Sequence, residues 1–269
     1  MIRKPAVAGH FYPGNPDRLR QDVEGFLKAE AIGEPRKAIG VVSPHAGYVY
    51  SGHVAGAALG KVSIPNKVIV LCPNHTGSGA WAAINEEGSW RTPLGDIPID
   101  TPLAQRLMQL DSSLEEDSMA HAREHALEVQ LPFLQTLQPD LQIVPLCLSH
   151  FSYPECEHLG KALAGLIEEN AEPVLMVASS DLNHYESQER TLVKDQMAID
   201  CILERDPEKL YQTVHEENIS MCGVIPTTSM LIAANCLGAN KAELIKHATS
   251  GDISGDYTGV VGYAGMIIT

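Results

Sequence analysis

The stretch Ile39-Gly40-Val41-Val42-Ser43-Pro44-His45-Ala46-Gly47-Tyr48 decides the fold. Its first half is an unbroken apolar run, the pattern of a strand covered on both faces in an α/β sheet. Pro44 cannot donate to a sheet ladder, so pairing should stop there. His45 is then left just beyond the carboxyl end of a buried strand, where open α/β sheets bind their ligands. The same plan recurs. Residues 67–72 read as a second strand that leaves through Pro73-Asn74-His75. Residues 141–146 read as a third, directed towards His150. Residues 173–178 read as a fourth, leaving through Ser179-Ser180-Asp181-Leu182-Asn183-His184.

Around these units the pattern predicts an irregular Pro- and Gly-rich arm over 5–16 and an amphipathic helix over 17–29. It predicts a small-residue helix over 53–60, short strands at 81–84 and 97–99, and a helix over 102–110. A helix over 122–137 should be kinked or broken by Pro132. Helices dominate 188–237, and 242–248 and 260–268 read as closing strands. No repeat, low-complexity tract or linker interrupts the chain. The expectation is one α/β domain over residues 1–269, with a largely parallel central sheet flanked by helices.

The bulk composition narrows the function. Nineteen Lys plus Arg against 34 Asp plus Glu give a formal charge of −15, which argues against a nucleic-acid partner or an anionic membrane surface. No apolar run approaches the roughly 20 residues of a membrane span. The N-terminus lacks a secretory apolar core. Six scattered cysteines without a C-x-x-C pair read as free thiols in a reducing cytoplasm.

Three strand exits thus deliver His45, His75 and the pair Asp181 and His184 to one edge. Imidazole is the commonest transition-metal ligand, so converging histidines suggest a metal site. Cys222 lies just ahead of a helix expected near Pro226, whose free N–H groups and dipole favour a thiolate. With two imidazoles it would make a soft set suited to iron, copper or zinc. A rival site is His121-Ala122-Arg123-Glu124-His125, whose H-x-x-E-H spacing matches inverted zinc peptidases if both histidines share a helix face. Ser179 and Ser180 beside Asp181 and His184 allow a hydrolase, without the turn glycines of a nucleophile elbow.

Taken together the motifs resemble the Memo-like family, named after the mediator of ErbB2-driven cell motility and called AmmeMemoRadiSam system protein B in prokaryotes. The resemblance rests on the opening Arg3-Lys4-Pro5-Ala6-Val7-Ala8-Gly9-His10-Phe11-Tyr12-Pro13 and on Pro44-His45-Ala46-Gly47-Tyr48. It continues through Pro73-Asn74-His75, Arg91-Thr92-Pro93-Leu94, Glu124-His125-Ala126-Leu127-Glu128, Ser179-Ser180-Asp181 with His184, and Cys222-Gly223 with Pro226. That family is similar in fold to the class III extradiol dioxygenases, which hold non-haem iron with two His and one Glu. The resemblance implies His45 and His75 as imidazole ligands, Cys222 at the position of the Glu ligand, His184 as acid/base and Asp181 as its orienting group.

The expected cofactor is a divalent metal ion, iron first and copper or zinc next. Val224 and Ile225 stand where the animal relative has Arg-His, which removes a basic anchor for a phosphopeptide. The resemblance also implies a functional link to a radical-SAM protein. Two functions follow: a metal-dependent, dioxygenase-like oxidoreductase acting on an unknown substrate, or a non-enzymatic module binding a peptide or small acidic ligand in the same cleft.

Overall fold

The computed structural model describes residues 1–29 and 33–269 of the chain. In order, β1 (Ile2–Arg3) is followed by α1 (Pro16–Ala29), β2 (Gly40–Ser43), α2 (Tyr48–Leu59) and β3 (Lys67–Pro73). Short strands β4 (Ala82–Ile84), β5 (Ser89–Thr92) and β6 (Gly95–Pro98) lead to α3 (Thr101–Leu110), β7 (Glu115–Glu116) and α4 (Ser118–Ala122). A 3-10 turn (Glu128–Gln130) precedes α5 (Leu131–Leu137), β8 (Gln142–Leu148), α6 (Tyr153–Glu169) and β9 (Val174–Ser179). The rest is β10 (His184–Glu186), α7 (Gln188–Glu204), α8 (Pro207–Glu216), α9 (Val224–Cys236), β11 (Ala242–Thr249), α10 (Gly251–Ser254) and β12 (Val260–Ile268).

The main sheet runs β10-β12-β2-β9-β3-β8-β4-β7, with β11 paired to β12. Its centre, β2-β9-β3-β8, is parallel, and antiparallel β12 and β4 close it on either side. The sheet is therefore mixed, with a parallel heart. These four strands are the four apolar runs of the sequence, and apart from the first residue of β3 and of β8 every position in them is buried. Helices supply the covering layers: α2 packs on β2, β11 and β12, and α9 packs on β2, β3 and β9 with α6 against it. One apolar cluster extends from Tyr12 to Ile268. Among the described residues no helix is long and apolar enough to cross a membrane.

Strand order fixes the functional edge. β9 lies between β2 and β3, and Ser43 is in register with Ser179. Two residues beyond that pair, His45 and Asp181 leave adjacent strand ends, and His75 leaves the next. Antiparallel β12 returns its first residues to this edge, where Val261 pairs with His184 on β10.

The structure departs from the sequence expectation over residues 122–137. α4 stops at Ala122, the chain turns, and Pro132 sits in the first turn of α5. A first-turn proline costs little because its missing N–H would have no helical partner. The strand Ser89–Thr92, which the pattern does not predict, pairs with β1 and β6 in a separate small sheet.

Candidate metal centre

His45 is buried and held from both sides. Its backbone N–H donates to Asp181 Oδ1 at 2.7 Å, and its Nδ1 lies 2.9 Å from Ser179 Oγ. The Ser179 hydroxyl proton goes to the Ala126 carbonyl at 2.6 Å, while Gln130 Nε2 donates to the same Oγ at 2.8 Å. Ser179 Oγ can then only accept from His45, which places the proton on Nδ1 and leaves Nε2 with a free lone pair. This network also removes Ser179 as a nucleophile. Ser180 is removed as well, since its hydroxyl donates to the Asp181 carbonyl and accepts the Gly223 N–H.

The same logic applies to two further histidines. His75 Nδ1 meets Glu124 Oε1 at 2.9 Å, and His184 Nδ1 meets the Ser220 carbonyl at 2.9 Å. Both partners only accept, so each ring carries its proton on Nδ1 and presents Nε2. A fourth imidazole, His125, stacks on His75 with ring centroids 4.7 Å apart and meets His45 edge-on at 5.5 Å. Ligand atoms of His45, His75 and His125 all lie within 4.8 Å of one another, and this group could hold a metal ion. All four imidazoles line one cleft of about 560 Å³ with Asp181, Cys222, Phe11, Tyr185, Val261 and Tyr263.

Burial favours the neutral form of His45, His125 and His184. Burial, then the neighbouring His75 and His125, push His45 well below the usual imidazole range. Burial also lowers His125 and His184. A neutral ring is the ligand form. Burial opposes ionisation of Glu124, but hydrogen bonds from His75 and the Ala126 N–H outweigh it and hold the carboxyl below its usual range. Asp181 behaves oppositely: burial pushes it up to about 7 despite the His45 and Ala46 N–H groups.

Cys222 Sγ lies 3.2 Å from His45 Nε2. Bond lengths of about 2.1 Å to nitrogen and about 2.3 Å to sulfur put two ligands of one ion ~3.1 Å apart at a right angle. The thiol is not activated as the sequence reading expects: burial, then the charge of Asp181, raise its pKa. The Asp181 N–H does donate to Sγ at 3.3 Å, whereas the Gly223 N–H, just ahead of α9, is committed to Ser180 Oγ at 3.1 Å. A bound ion would displace the thiol proton outright. The approach needs a glycine at 223, where a Cβ would stand 2.4 Å from Ser180 Cβ and 2.5 Å from the Ser179 carbonyl oxygen.

The structure therefore gathers His45, His75, Asp181 and His184, expected from strand exits, in one cleft with Cys222, which stands just ahead of α9. It splits the H-x-x-E-H motif. His121 is fully buried with its ring edge-on to Trp90 at 5.6 Å, while His125 faces the cleft. The peptidase arrangement is overturned, because α4 ends between the two histidines. His125 is the member of the imidazole group that sequence reasoning missed. Its signal was present in the Glu124-His125 block, which the H-x-x-E-H pattern assigns instead to a zinc peptidase.

A family profile described as Memo-like protein matches residues 3–267. A MEMO1 family protein of Methanopyrus kandleri is 40% identical, over 99% of this chain and 99% of its own. MEMO1 family proteins of Methanocaldococcus jannaschii and Thermotoga maritima are each 42% identical, the first over 99% of both chains and the second over 100% of both. Among solved structures, an uncharacterized protein from Escherichia coli K12 superposes with a TM-score of 0.56 at 14% identity, covering 86% of this chain and 100% of that one. That likeness concerns the fold alone. By sequence over nearly its whole length, the chain belongs to the Memo-like family.

Proposed function

We propose that the chain is a metal-dependent enzyme of oxidoreductase type, with iron as its ion and copper or zinc as substitutes. His45, His75 and Cys222 would hold the ion, and His125 stands where it can complete or replace that set. The observation that carries this reading is the convergence of three imidazoles, with ligand atoms within 4.8 Å, at the ligand-binding edge of the sheet. When bound, the ion supplies a Lewis-acidic, redox-capable position open to substrate or O₂.

The protein's own groups supply the rest. His184, with Nδ1 committed to Ser220, offers Nε2 as a proton acceptor in the cleft. Asp181, titrating at about 7, takes up or gives back a proton near neutrality. Phe11, Tyr185, Val261 and Tyr263 add aromatic and aliphatic surface to the cleft, which favours an organic substrate. Among the described residues no Lys or Arg lines the cleft, which disfavours a phosphorylated ligand and weakens the alternative of a non-enzymatic module for acidic ligands. The link to a radical-SAM partner and a cytoplasmic location belong to the proposal. The six free cysteines support the latter.

The test is metal content by plasma mass spectrometry after anaerobic purification, with His45→Ala and Cys222→Ser beside the wild type. Near-stoichiometric iron that falls in both variants is the expected result. O₂ uptake by the iron-loaded protein across a substrate panel, lost in His184→Ala, would then establish the oxidoreductase. A wild type that takes up no metal even from added Fe(II) overturns the reading.

A further inference from the structure

Glu124 takes no part in the chemistry just described, yet several groups of the centre converge on it. Its side chain is fully buried. Oε2 accepts the His75 backbone N–H at 2.6 Å. Oε1 accepts His75 Nδ1–H at 2.9 Å and the Ala126 N–H at 2.8 Å, and stands 3.4 Å from His125 Nδ1. Arg3 is close, but its Nη2 donates to the Glu124 backbone carbonyl at 2.6 Å, and its ion pair is with Glu128. The carboxylate is thus met by N–H groups and two imidazoles, and among the described residues no Lys or Arg is paired to it. A buried charge so placed is costly unless a positive charge reaches it by another route.

The other two rings of the cleft are treated differently. His45 leans on a neutral hydroxyl and His184 on a neutral carbonyl. His75 and His125 instead face the Glu124 carboxylate. A carboxylate on the far nitrogen fixes a ring's tautomer and orientation and makes the near nitrogen a stronger donor to metal. Taking the metal reading as its basis, we propose that Glu124 is the positioning residue of the centre. One carboxylate orients both His75 and His125, and the bound ion supplies through those rings the positive charge that the carboxylate lacks.

Glu124→Gln keeps the size but removes one acceptor limb, so an NH₂ group would confront either the His75 backbone N–H or the pair at Oε1. Glu124→Asp keeps the charge on a shorter stem. Chelator-treated wild type and both variants are titrated with Co(II), recording affinity and the ligand-field absorption bands. Circular dichroism and thermal melts of the metal-free forms establish that each is folded. The expected result is a 10- to 100-fold weaker Co(II) affinity with altered bands in Glu124→Gln, and recovery of part of both in Glu124→Asp.

Wild-type affinity and bands in Glu124→Gln would overturn the inference and leave the metal reading standing. Should Glu124→Gln fail to fold, Glu124→Asp decides: a several-fold loss with altered bands supports the role, and wild-type behaviour removes it. No Co(II) uptake by the wild type would overturn the metal centre itself, and the inference with it.

Discussion

Glu124 and Glu128 stand four residues apart, are equally buried, and do opposite jobs. Glu128 is closed off inside the protein. It pairs with Arg3 Nη1, accepts the Tyr12 hydroxyl at 2.5 Å, and takes the Ala6 and Val7 N–H groups at 2.7 and 3.0 Å. Arg3 in turn lies over the Trp90 ring, 4.4 Å from its centroid. The cluster staples the N-terminal arm to the body, and every charge in it is matched. Around Glu124 the partners are imidazoles whose other nitrogens remain open to the cleft. Burial is the same in both places, so it does not separate structure from function. The nature of the countercharge does.

The largest expected effect breaks the closed cluster. Glu128→Gln leaves the Arg3 guanidinium buried without its anion and cannot satisfy all the donors aimed at it. Breaking such a pair costs about 3–5 kcal/mol. Urea denaturation should report a loss of that size, while the folded fraction still binds Co(II) with affinity close to wild type. A variant that kept wild-type stability but lost metal would invert the comparison and make Glu128 part of the centre.

The contrast also explains what the sequence could and could not reveal. His45, His75 and Asp181 were legible because each follows an apolar run, and the sheet rule sends such exits to one edge. The strand β2 ends at Ser43 as Pro44 dictates. His125 was not legible, because its placement depends on partners far away in the chain. Arg3 Nε and Nη2 take the carbonyls of His121 and Glu124, 118 and 121 residues distant, which a continuing helix would otherwise use. The Glu124 side chain accepts the N–H two residues on, a local bond that competes with the helical ladder. A five-residue pattern read as one helix face therefore became two sites facing different ways. Cys222 was legible in position but not in protonation, since burial beside Asp181 raises its pKa.

A second, smaller effect concerns Asp181, a carboxylate of the cleft whose ionisation burial opposes. Asp181 titrates at about 7 in the folded protein, far above the unfolded range near 3.9. Between those values the folded state holds a proton that the unfolded state has released, so rising pH costs stability through this window and nothing more above it. Asp181→Asn has no such dependence. Buried histidines pull the other way on acidification, so the readout is the difference between variant and wild type, both metal-free. From about pH 5 to about pH 7 that difference should grow by ~2–3 kcal/mol in favour of the variant, at about 1.4 kcal/mol per pH unit. A difference independent of pH would mean that Asp181 is ionised throughout and is matched as Glu128 is.

The smallest effect sharpens the distinction between anionic and neutral support. Ser179 gives His45 what Glu124 gives His75, an acceptor for Nδ1–H, but without charge. Ser179→Ala removes that acceptor and leaves the Ala126 carbonyl without its 2.6 Å donor, while Gln130 keeps Pro44 O at 2.9 Å. One unsatisfied buried group costs about 1–3 kcal/mol, most of it in folding rather than in metal binding. Nitrogen-edited NMR of the imidazoles should show His45 as a single Nδ1–H tautomer in the wild type and as a mixture in the variant. Co(II) affinity should fall less than in Glu124→Gln, because tautomer selection is lost but no negative charge is removed from behind the ring. If Ser179→Ala proved as damaging to metal binding as Glu124→Gln, hydrogen-bond geometry alone would account for both residues, and the charge of Glu124 would have no role of its own.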